Sequence, residues 1–291
     1  MTERDMTKPK VALVIGSGGL KSAEALGVFE KLEEENIGVD MVVGCSGGAV
    51  IGALIVTGHS YEESIDKVKR MWDPDLFKQF RLRNILKIFF PRLMGFNERF
   101  GVIGGRMFVD QFRKGFGEKT TFKDTIIPFY CVATNIKNGE PVVISRGSVP
   151  EAIRMSSGFP VLFEAWEHED LSLSDGGLSN PLPVDVAIRE GADIIIAVGS
   201  QLQRLPNLTS VGSFIGQTFS ILTNELLSLQ MGFYSLAHRS ELVMIVPEFE
   251  EDIKLGDVHK VPMIIQKGRE EIQKHISYIR RLMDKIDEKE S

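Results

Sequence analysis

The stretch VDMVVGCSGGAVIGALIV (residues 39–56) decides the fold of this 291-residue chain. Its first part, 39–43, is short and rich in valine, which is typical of a buried strand. Residues 49–56 are apolar on all sides, as in a helix packed against a sheet. The small residues 44–48 between them interrupt any single helix, which disfavours a membrane span across the uncharged window 41–61. The stretch therefore predicts a strand, a sharp turn and a buried helix.

The same alternation of strand and helix continues on both sides of this stretch. Further strands are predicted at 11–15, 125–134, 141–144, 171–174 and 193–198. Helices are predicted where Ala25, Val28, Phe29 and Leu32 share one face, and again at 183–190. Strands that alternate with helices predict a mainly parallel central sheet with helices on both faces, a three-layer α/β/α fold.

The pattern changes after Gly199. Apolar residues recur at steps of three and four across 215–236 and again across 265–286, which predicts two long helices. We therefore expect a catalytic domain at 9–200 and a C-terminal helical extension at 201–291 that packs on it. The alternative is that these apolar faces form a dimer interface, which would make the protein a homo-oligomer.

The overall composition argues against several classes of protein. The net charge is −6 and the pI is near 5.5, so no basic field favours nucleic acid. Two cysteines, Cys45 and Cys131, are too few for a disulfide framework. Residues 1–10 are polar and lack the apolar core of a signal peptide. We expect a cytoplasmic protein, and a peripheral location at the inner membrane surface is a further option.

The turn Gly44-Cys45-Ser46-Gly47-Gly48 has the G-x-S-x-G spacing of a nucleophile elbow. A nucleophilic serine must stand on a sharp strand-to-helix turn, and small residues two positions before and after it let strand and helix approach closely. The predicted strand before the turn and the helix after it provide this context. The structural alternative is a tight glycine turn with a helix-capping serine.

A second glycine-rich turn, residues 16–22, follows the first strand. A dinucleotide fingerprint would need glycine where Lys21 stands, and a phosphate-binding Walker A loop would need glycines where Ile15 and Leu20 stand. An oxyanion loop needs only exposed backbone N–H groups, which Gly18 and Gly19 offer. This third interpretation fits the residues best.

Asp175 ends the predicted strand at 171–174 and is followed by two glycines. Such an aspartate is either an acid/base group or a turn former. The serine elbow and the glycine loop favour the first role, because burial raises the pKa of a carboxyl group and makes it a stronger base. Three of the five histidines follow the acid in the order of a Ser-Asp-His triad, but His238 falls at the end of one predicted helix and His275 within the other. A triad through the loop residue His259 is therefore the alternative to a dyad.

The three glycine motifs, in this order, resemble those of the patatin-like phospholipase family across roughly residues 9–200. The resemblance implies a three-layer α/β domain and calcium-independent hydrolysis of acyl esters without cofactor or metal. It makes Ser46 the nucleophile and Asp175 its base. It assigns the oxyanion hole to the N–H groups of Gly18, Gly19 and Gly47, and support of the turns to Gly44, Gly48, Gly176 and Gly177. Ser22 stands where the family usually has glycine, and Ala25 stands where it often has histidine.

These residues predict a serine acyl hydrolase that cleaves phospholipids or lysophospholipids through a Ser46–Asp175 dyad. A catalytically silent lipid-binding or regulatory protein on the same fold is the alternative, although every catalytic position is filled. Nucleotide binding at 16–22 is disfavoured by the missing glycines.

The window from Leu76 to Val109 differs in character from the rest of the chain. It holds seven basic residues and seven phenylalanines but one acid, Glu98. Basic and aromatic residues in this mixture suit an anionic membrane surface or a mobile cover over an acyl-chain pocket. A packed helical subdomain with snorkelling arginines has the same signature.

Overall fold

The computed structural model describes residues 8–72, 82–97, 100–199, 208–237, 240–251 and 253–290. Within these ranges, the strands are β1 (Val11–Ile15), β2 (Met41–Cys45), β3 (Gly101–Ile103), β4 (Phe129–Asn135), β5 (Pro141–Ile144), β6 (Val161–Phe163), β7 (Trp166–His168), β8 (Leu171–Asp175), β9 (Ile194–Val198) and β10 (Glu241–Ile245). The α-helices are α1 (Glu24–Glu34), α2 (Gly47–Val56), α3 (Tyr61–Met71), α4 (Leu82–Phe89), α5 (Pro91–Met94), α6 (Gly105–Phe116), α7 (Val149–Ser156), α8 (Val184–Arg189), α9 (Val211–Ala237), α10 (Val261–Gln273) and α11 (Ile276–Glu290).

An eight-stranded sheet in the order β10-β9-β1-β2-β4-β8-β7, with β5 also paired to β4, forms the centre of the molecule. The five strands from β10 to β4 run parallel, whereas β5, β8 and β7 join antiparallel. β3 and β6 form a separate parallel pair. The mainly parallel sheet is confirmed, whereas the antiparallel pairing of β8 with β4 and β7 was not predicted.

Helices cover both faces of the sheet. Val11, Leu13 and Ile15 of β1 belong to one core cluster, together with residues of α1, α2, α7, α10 and α11. Ala12 and Val14, which alternate with them, belong to a second cluster that includes residues of α8 and α9. Since successive side chains of a strand point to opposite faces, the two clusters are the two outer layers of the predicted three-layer fold.

One edge of β4 is shared by two strands that meet end to end. β2 pairs with the first half of β4, up to the pair Cys45–Val132. β8 pairs with the second half, beginning at the next residue with the pair Asp175–Ala133. β5 overlaps both along β4 and so occupies the other edge. Ser46, which follows Cys45, is thereby placed beside Asp175 by main-chain pairing.

The part of the chain beyond residue 200 contributes a strand as well as helices. The predicted helix across 215–236 is confirmed as α9. The apolar pattern across 265–286 forms two helices, because the N–H groups of Lys274 and His275 bond to carbonyls three residues back and end α10. β10, which was not predicted, pairs with β9 at the edge of the sheet. Among the described residues, no helix combines the length and hydrophobicity of a membrane span.

The window from Leu76 to Val109 is described in part, since 76–81, 98 and 99 lie outside the described residues. Nδ2 of buried Asn84 in α4 donates to the carbonyl of Gly101 at 2.7 Å, and it ties the window to the rest of the domain by also donating to Oε1 of Glu164 at 3.2 Å. The side chains that follow include a set of exposed apolar residues, Ile88, Phe89, Phe90, Leu93 and Phe96. The segment therefore combines a packed helix with an exposed apolar surface.

Candidate active site

Ser46 stands on the predicted sharp turn between β2 and α2. Its φ and ψ are 55° and −120°, which is a strained conformation for a residue other than glycine and costs about 1–3 kcal/mol. Its N–H donates to Oγ of Ser156 at 2.9 Å, and that hydroxyl donates to the carbonyl of Val132 at 2.6 Å. Ser156 therefore joins the elbow to β4 and helps to hold the strained turn.

Replacing Ser156 by alanine is expected to lower the free energy of unfolding by about 1–3 kcal/mol, because two buried main-chain groups lose their partner. Ser172→Ala is the matched control. Ser172 is equally buried, and its Oγ makes no hydrogen bond in the described part of the chain. Chemical denaturation of both variants measures the difference. Equal stabilities would show that the Ser156 bridge does not stabilise the elbow.

Asp175 is the acid that the structure brings to this serine. Its Oδ2 accepts from Oγ of Ser46 at 2.7 Å, and its Oδ1 accepts from the N–H of Gly177 at 2.8 Å. Its own N–H donates to the carbonyl of Gly158 at 3.1 Å. The side chain is 2% exposed, so both carboxylate oxygens are held by protein donors away from bulk water.

The environment of Asp175 makes it a stronger base than an ordinary aspartate. Burial raises the pKa of Asp175 to about 6, against the lowering effects of the Ser46 and Gly177 hydrogen bonds and of the positive charge of Arg154. A carboxylate with this pKa is still ionised at pH 7 and accepts a proton more readily than a free one.

Arg154 is a buried cation behind the acid that sequence reasoning did not single out. Its guanidinium lies 5.4–5.9 Å from the ring centroids of Phe108, Phe163 and Trp166. It also donates to the carbonyl of Glu164. Burial lowers the pKa of Arg154 to about 10, which leaves it charged at pH 7. A lone arginine inside the apolar pattern of α7 was the available sequence signal.

The three glycines expected to form an oxyanion hole lie together beside the serine. Gly47 is the first residue of α2, so its N–H precedes the first helical hydrogen bond, from Ala49 to Ser46 at 3.0 Å. Gly18 and Gly19 likewise precede the first bond of their turn. A Cβ on Gly47 would lie 2.3 Å from the carbonyl oxygen of Gly19, so only glycine permits the contact between the two turns.

The remaining motif glycines lie where another segment of backbone comes close. A Cβ on Gly48 would lie 2.2 Å from the carbonyl oxygen of Ile15, and one on Gly176 would lie 2.2 Å from that of Val132. Gly44 faces the backbone of α2 in the same way, whereas Gly177 faces the side chains of Ser17 and Asp175. Ser22, where the family usually has glycine, donates from Oγ to the carbonyl of Gly16 at 3.2 Å and closes the first turn.

A cavity of about 380 Å³ opens above the dyad. Its walls are mainly apolar, with Lys21 and Lys254 as the basic residues among those that line it. The volume is within the range of small-ligand sites, and the walls suit an acyl chain. The lining residues from beyond residue 200 are Gly216, Phe219, Ser220, Ile253, Lys254 and Leu255.

Sequence reasoning missed these wall residues, because nothing local marks them. In the structure, the segment that supplies some of these residues contacts the glycine-rich turn 16–22. Leu255 packs on Gly19, where an added Cβ would lie 2.8 Å from Cδ2 of the leucine. Lys21 lies 5.6 Å from the ring centroid of Phe249. The segment after β10 therefore covers the turn that holds two of the expected oxyanion donors.

No histidine of the described residues lines the cavity. His259 lies in an exposed turn at Val258–Lys260. Buried Asp175 bonds to the serine directly, at a distance that leaves no room for an imidazole between them. The alternative of a triad through His259 thus has no support in the geometry.

Comparison with known proteins finds a matching family model and related sequences. The family model described as patatin-like phospholipase matches residues 13–188. An uncharacterised NTE family protein of Mycobacterium tuberculosis is 30% identical over 195 residues, which are 67% of this chain and 50% of the relative. Neuropathy target esterase sws of Drosophila melanogaster is 31% identical over 213 residues, 72% of this chain and 14% of that protein. The chain thus spans half or less of the length of these two relatives.

A solved structure supports the fold. Human GIVD cytosolic phospholipase A2, in complex with methyl γ-linolenyl fluorophosphonate, superposes with a TM-score of 0.54 over 98% of this chain and 60% of that chain, at 9% identity. This likeness bears on the architecture alone. From the matched family model and these relatives, the chain belongs to the patatin-like phospholipase family.

Proposed function

We propose that this protein is a serine acyl hydrolase that cleaves ester bonds of phospholipids or lysophospholipids. The observation that carries the proposal is the 2.7 Å contact between Oγ of Ser46 and Oδ2 of Asp175 at the floor of a largely apolar cavity. The esterase and phospholipase names of its relatives agree with ester hydrolysis.

The reaction follows from the roles of these atoms. Asp175 takes the proton of the Ser46 hydroxyl as Oγ attacks the ester carbonyl. The N–H groups of Gly18, Gly19 and Gly47 stabilise the oxyanion, each contributing a factor of about 10²–10³. The alcohol leaves with the proton held by Asp175, and an acyl-enzyme remains on Ser46. Water, deprotonated by Asp175, then attacks the acyl carbonyl, and the fatty acid is released as Oγ of Ser46 leaves and takes its proton back from Asp175.

Labelling with a fluorophosphonate probe tests the proposal. The activated hydroxyl of Ser46 should attack the phosphorus, lose its proton to Asp175 and displace fluoride. Mass spectrometry should place the adduct on Ser46, and purified protein should turn over a short-chain nitrophenyl ester. A protein that binds lipid but shows neither labelling nor turnover would be the catalytically silent alternative.

The lysines of the cavity support a substrate with an anionic headgroup. Lys254→Glu is expected to raise the KM for an anionic lysophospholipid about tenfold, through loss of a charged contact and gain of repulsion. It should leave the KM for an uncharged monoacylglycerol with the same acyl chain unchanged. Lys123→Glu, an exposed change of equal charge that lies outside the cavity lining, is the control. A similar rise in KM for both substrates would contradict headgroup recognition.

The exposed residues of α4 and α5 support a second element of the proposal, contact with an anionic membrane. Lys87 and Arg92 stand among the exposed apolar side chains of this segment. Basic residues next to exposed aromatic and aliphatic ones favour the surface of a bilayer that carries negative charge.

A further inference from the structure

Arg154, on α7, is a charged residue in an apolar environment. None of its side chain is exposed, and its neighbours Ala152, Ile153 and Met155 are buried as well. Taking a guanidinium out of water is unfavourable unless other groups compensate for its lost hydration. Methionine or leucine would fill a similar space without this penalty. The contacts of the guanidinium therefore indicate what its charge does.

Aromatic rings hold the guanidinium behind the wall of the cavity. It lies over the rings of Phe108, Phe163 and Trp166, and the faces of aromatic rings attract cations. Phe108 and Phe163 stack on each other at 4.3 Å, and both line the cavity. Arg154 itself does not line it. It can therefore act on a bound ester only through other groups.

The guanidinium also packs against a residue that holds the main chain of the acid. A Cβ on Gly158 would lie 2.3 Å from Nη1 of Arg154, so glycine is needed to leave room for the guanidinium. The carbonyl of Gly158 accepts from the N–H of Asp175 at 3.1 Å and from Oγ of Ser174 at 2.8 Å. Gly158 thus connects Arg154 with the main chain of Asp175.

The charge of Arg154 acts on the carboxylate of Asp175. Burial is the largest influence on the pKa of Asp175 and raises it, and the positive charge of Arg154 acts in the opposite direction. In turn, the carboxylates of Glu164 and Asp175 favour the charged form of Arg154. Without the cation, a larger share of Asp175 would be protonated near pH 7 and unable to accept the proton of Ser46.

We infer that Arg154 is a positioning residue of this site, which keeps the buried Asp175 ionised as the general base and fixes, through Gly158, the main chain that carries it. The inference rests on the proposed function. A cation near a carboxylate makes it a weaker base but keeps more of it in the form that accepts a proton. Burial alone would give a strong base that is mostly protonated at neutral pH.

Other titratable groups also lie near Asp175. The thiol of Cys45 is buried, which raises its pKa well above the ordinary value and keeps it neutral. Lys21 and Lys254 line the same cavity as Asp175. All three are common to the wild type and to the variants that test the inference, so a difference between these proteins reports the charge of Arg154.

The pH profile of kcat/KM for a soluble nitrophenyl ester provides the first test. In Arg154→Met, the midpoint near 6 should move to higher pH by about one unit or more. Well below pH 6 the variant should therefore be slower than the wild type by about tenfold or more. The difference should close as the pH rises past the new midpoint, where Asp175 is ionised in both proteins. A role in packing alone would lower the rate by the same factor at every pH.

Trp166→Leu is the matched control for this profile. It removes one of the three rings that contact Arg154, keeps the cation, and lies outside the cavity lining. Its midpoint should stay at that of the wild type. An unchanged midpoint in Arg154→Met, or an equal shift in Trp166→Leu, overturns the inference.

Thermal unfolding provides a second test that does not depend on activity. Asp175→Asn is made in the wild type and in Arg154→Met, and the rise in Tm that it causes is compared. At pH 8 the rise should be larger in Arg154→Met, because the substitution there removes a buried carboxylate that lacks its cation. At pH 4 the two rises should be equal, since Asp175 is protonated in both folded proteins. Equal rises at pH 8 overturn the inference.

The double variant also covers the case in which Arg154→Met fails to fold at pH 8. Recovery of the fold on addition of Asp175→Asn supports the inference, because it shows that the uncompensated carboxylate caused the failure. A double variant that also fails to fold overturns it. Absence of ester turnover in the wild type at every pH would instead refute the proposed function, and the comparison of Tm values would still decide whether Arg154 stabilises the charge of Asp175.

Discussion

Ser46→Ala is expected to lower kcat/KM for ester hydrolysis by about 10⁴-fold or more, because it removes the nucleophile while every other contact of the site remains. The loss should appear with both a soluble nitrophenyl ester and a lysophospholipid, and fluorophosphonate labelling should disappear. Circular dichroism and thermal unfolding should show a folded protein. Residual activity within tenfold of the wild type would place the nucleophile elsewhere.

Ser46→Gly provides a matched inactive variant. Alanine keeps the φ of 55° that strains this position, whereas glycine adopts it freely. We expect Ser46→Gly to be equally inactive but more stable than Ser46→Ala by about 1 kcal/mol. Since both variants lack the hydroxyl that bonds to Asp175, the difference between them isolates the strain of the elbow. Equal stabilities would mean that the turn relaxes when the hydroxyl is lost.

Asp175→Asn is expected to lower kcat/KM by about 10²–10⁴-fold, because the amide keeps the shape of the carboxylate but cannot accept a proton. The pH dependence is the sharper readout. Activity of the wild type requires the ionised acid, so kcat/KM should rise with pH through a midpoint near 6, the value set by burial for the pKa of Asp175. The variant should lack this rise. A profile with the same midpoint in the variant would assign the base to another group.

The same substitution should change the pH dependence of stability. Burial raises the pKa of Asp175 from 3.8 to about 6, so the folded state holds the proton more tightly than the unfolded state does. The stabilisation that comes from tighter proton binding by folded-state Asp175 is fully present below pH 4 and is lost as the pH rises through 6. Asp175→Asn should therefore gain stability relative to the wild type, by up to about 3 kcal/mol, between pH 4 and pH 8. Denaturation curves at both pH values measure it.

The fold and the centre of the site could be predicted because short, contiguous patterns encode them. Residues 39–56 contain a strand, an elbow and a buried helix in one run, and the structure has β2 and α2 there. Ser46 follows one strand of the sheet and Asp175 ends another, and glycines near both residues permit the close approach of backbone. That these residues act as nucleophile and base stays a prediction.

The rest of the site depends on contacts that no local pattern records. Lys254 and Leu255 reach the cavity only because β10 joins the sheet edge and directs the following loop towards the glycine turn. The five-residue run of β10 is too short to distinguish from other apolar segments. Arg154 stands in an apolar helix, and its position behind the acid follows from the packing of α7 rather than from its neighbours in sequence.

Because β2 and β8 meet end to end along β4, the residues that position Ser46 and Asp175 differ from the residues that shape the cavity. The alignment of the hydroxyl and the carboxylate is held by main-chain ladders, which tolerate broad changes of side chain. Six of the 23 described residues that line the cavity come instead from beyond residue 200, outside the span 13–188 that the family model matches. Recombination of the C-terminal third between homologues would therefore exchange preferences for lipid while leaving the chemistry intact, and laboratory evolution of selectivity is best directed there.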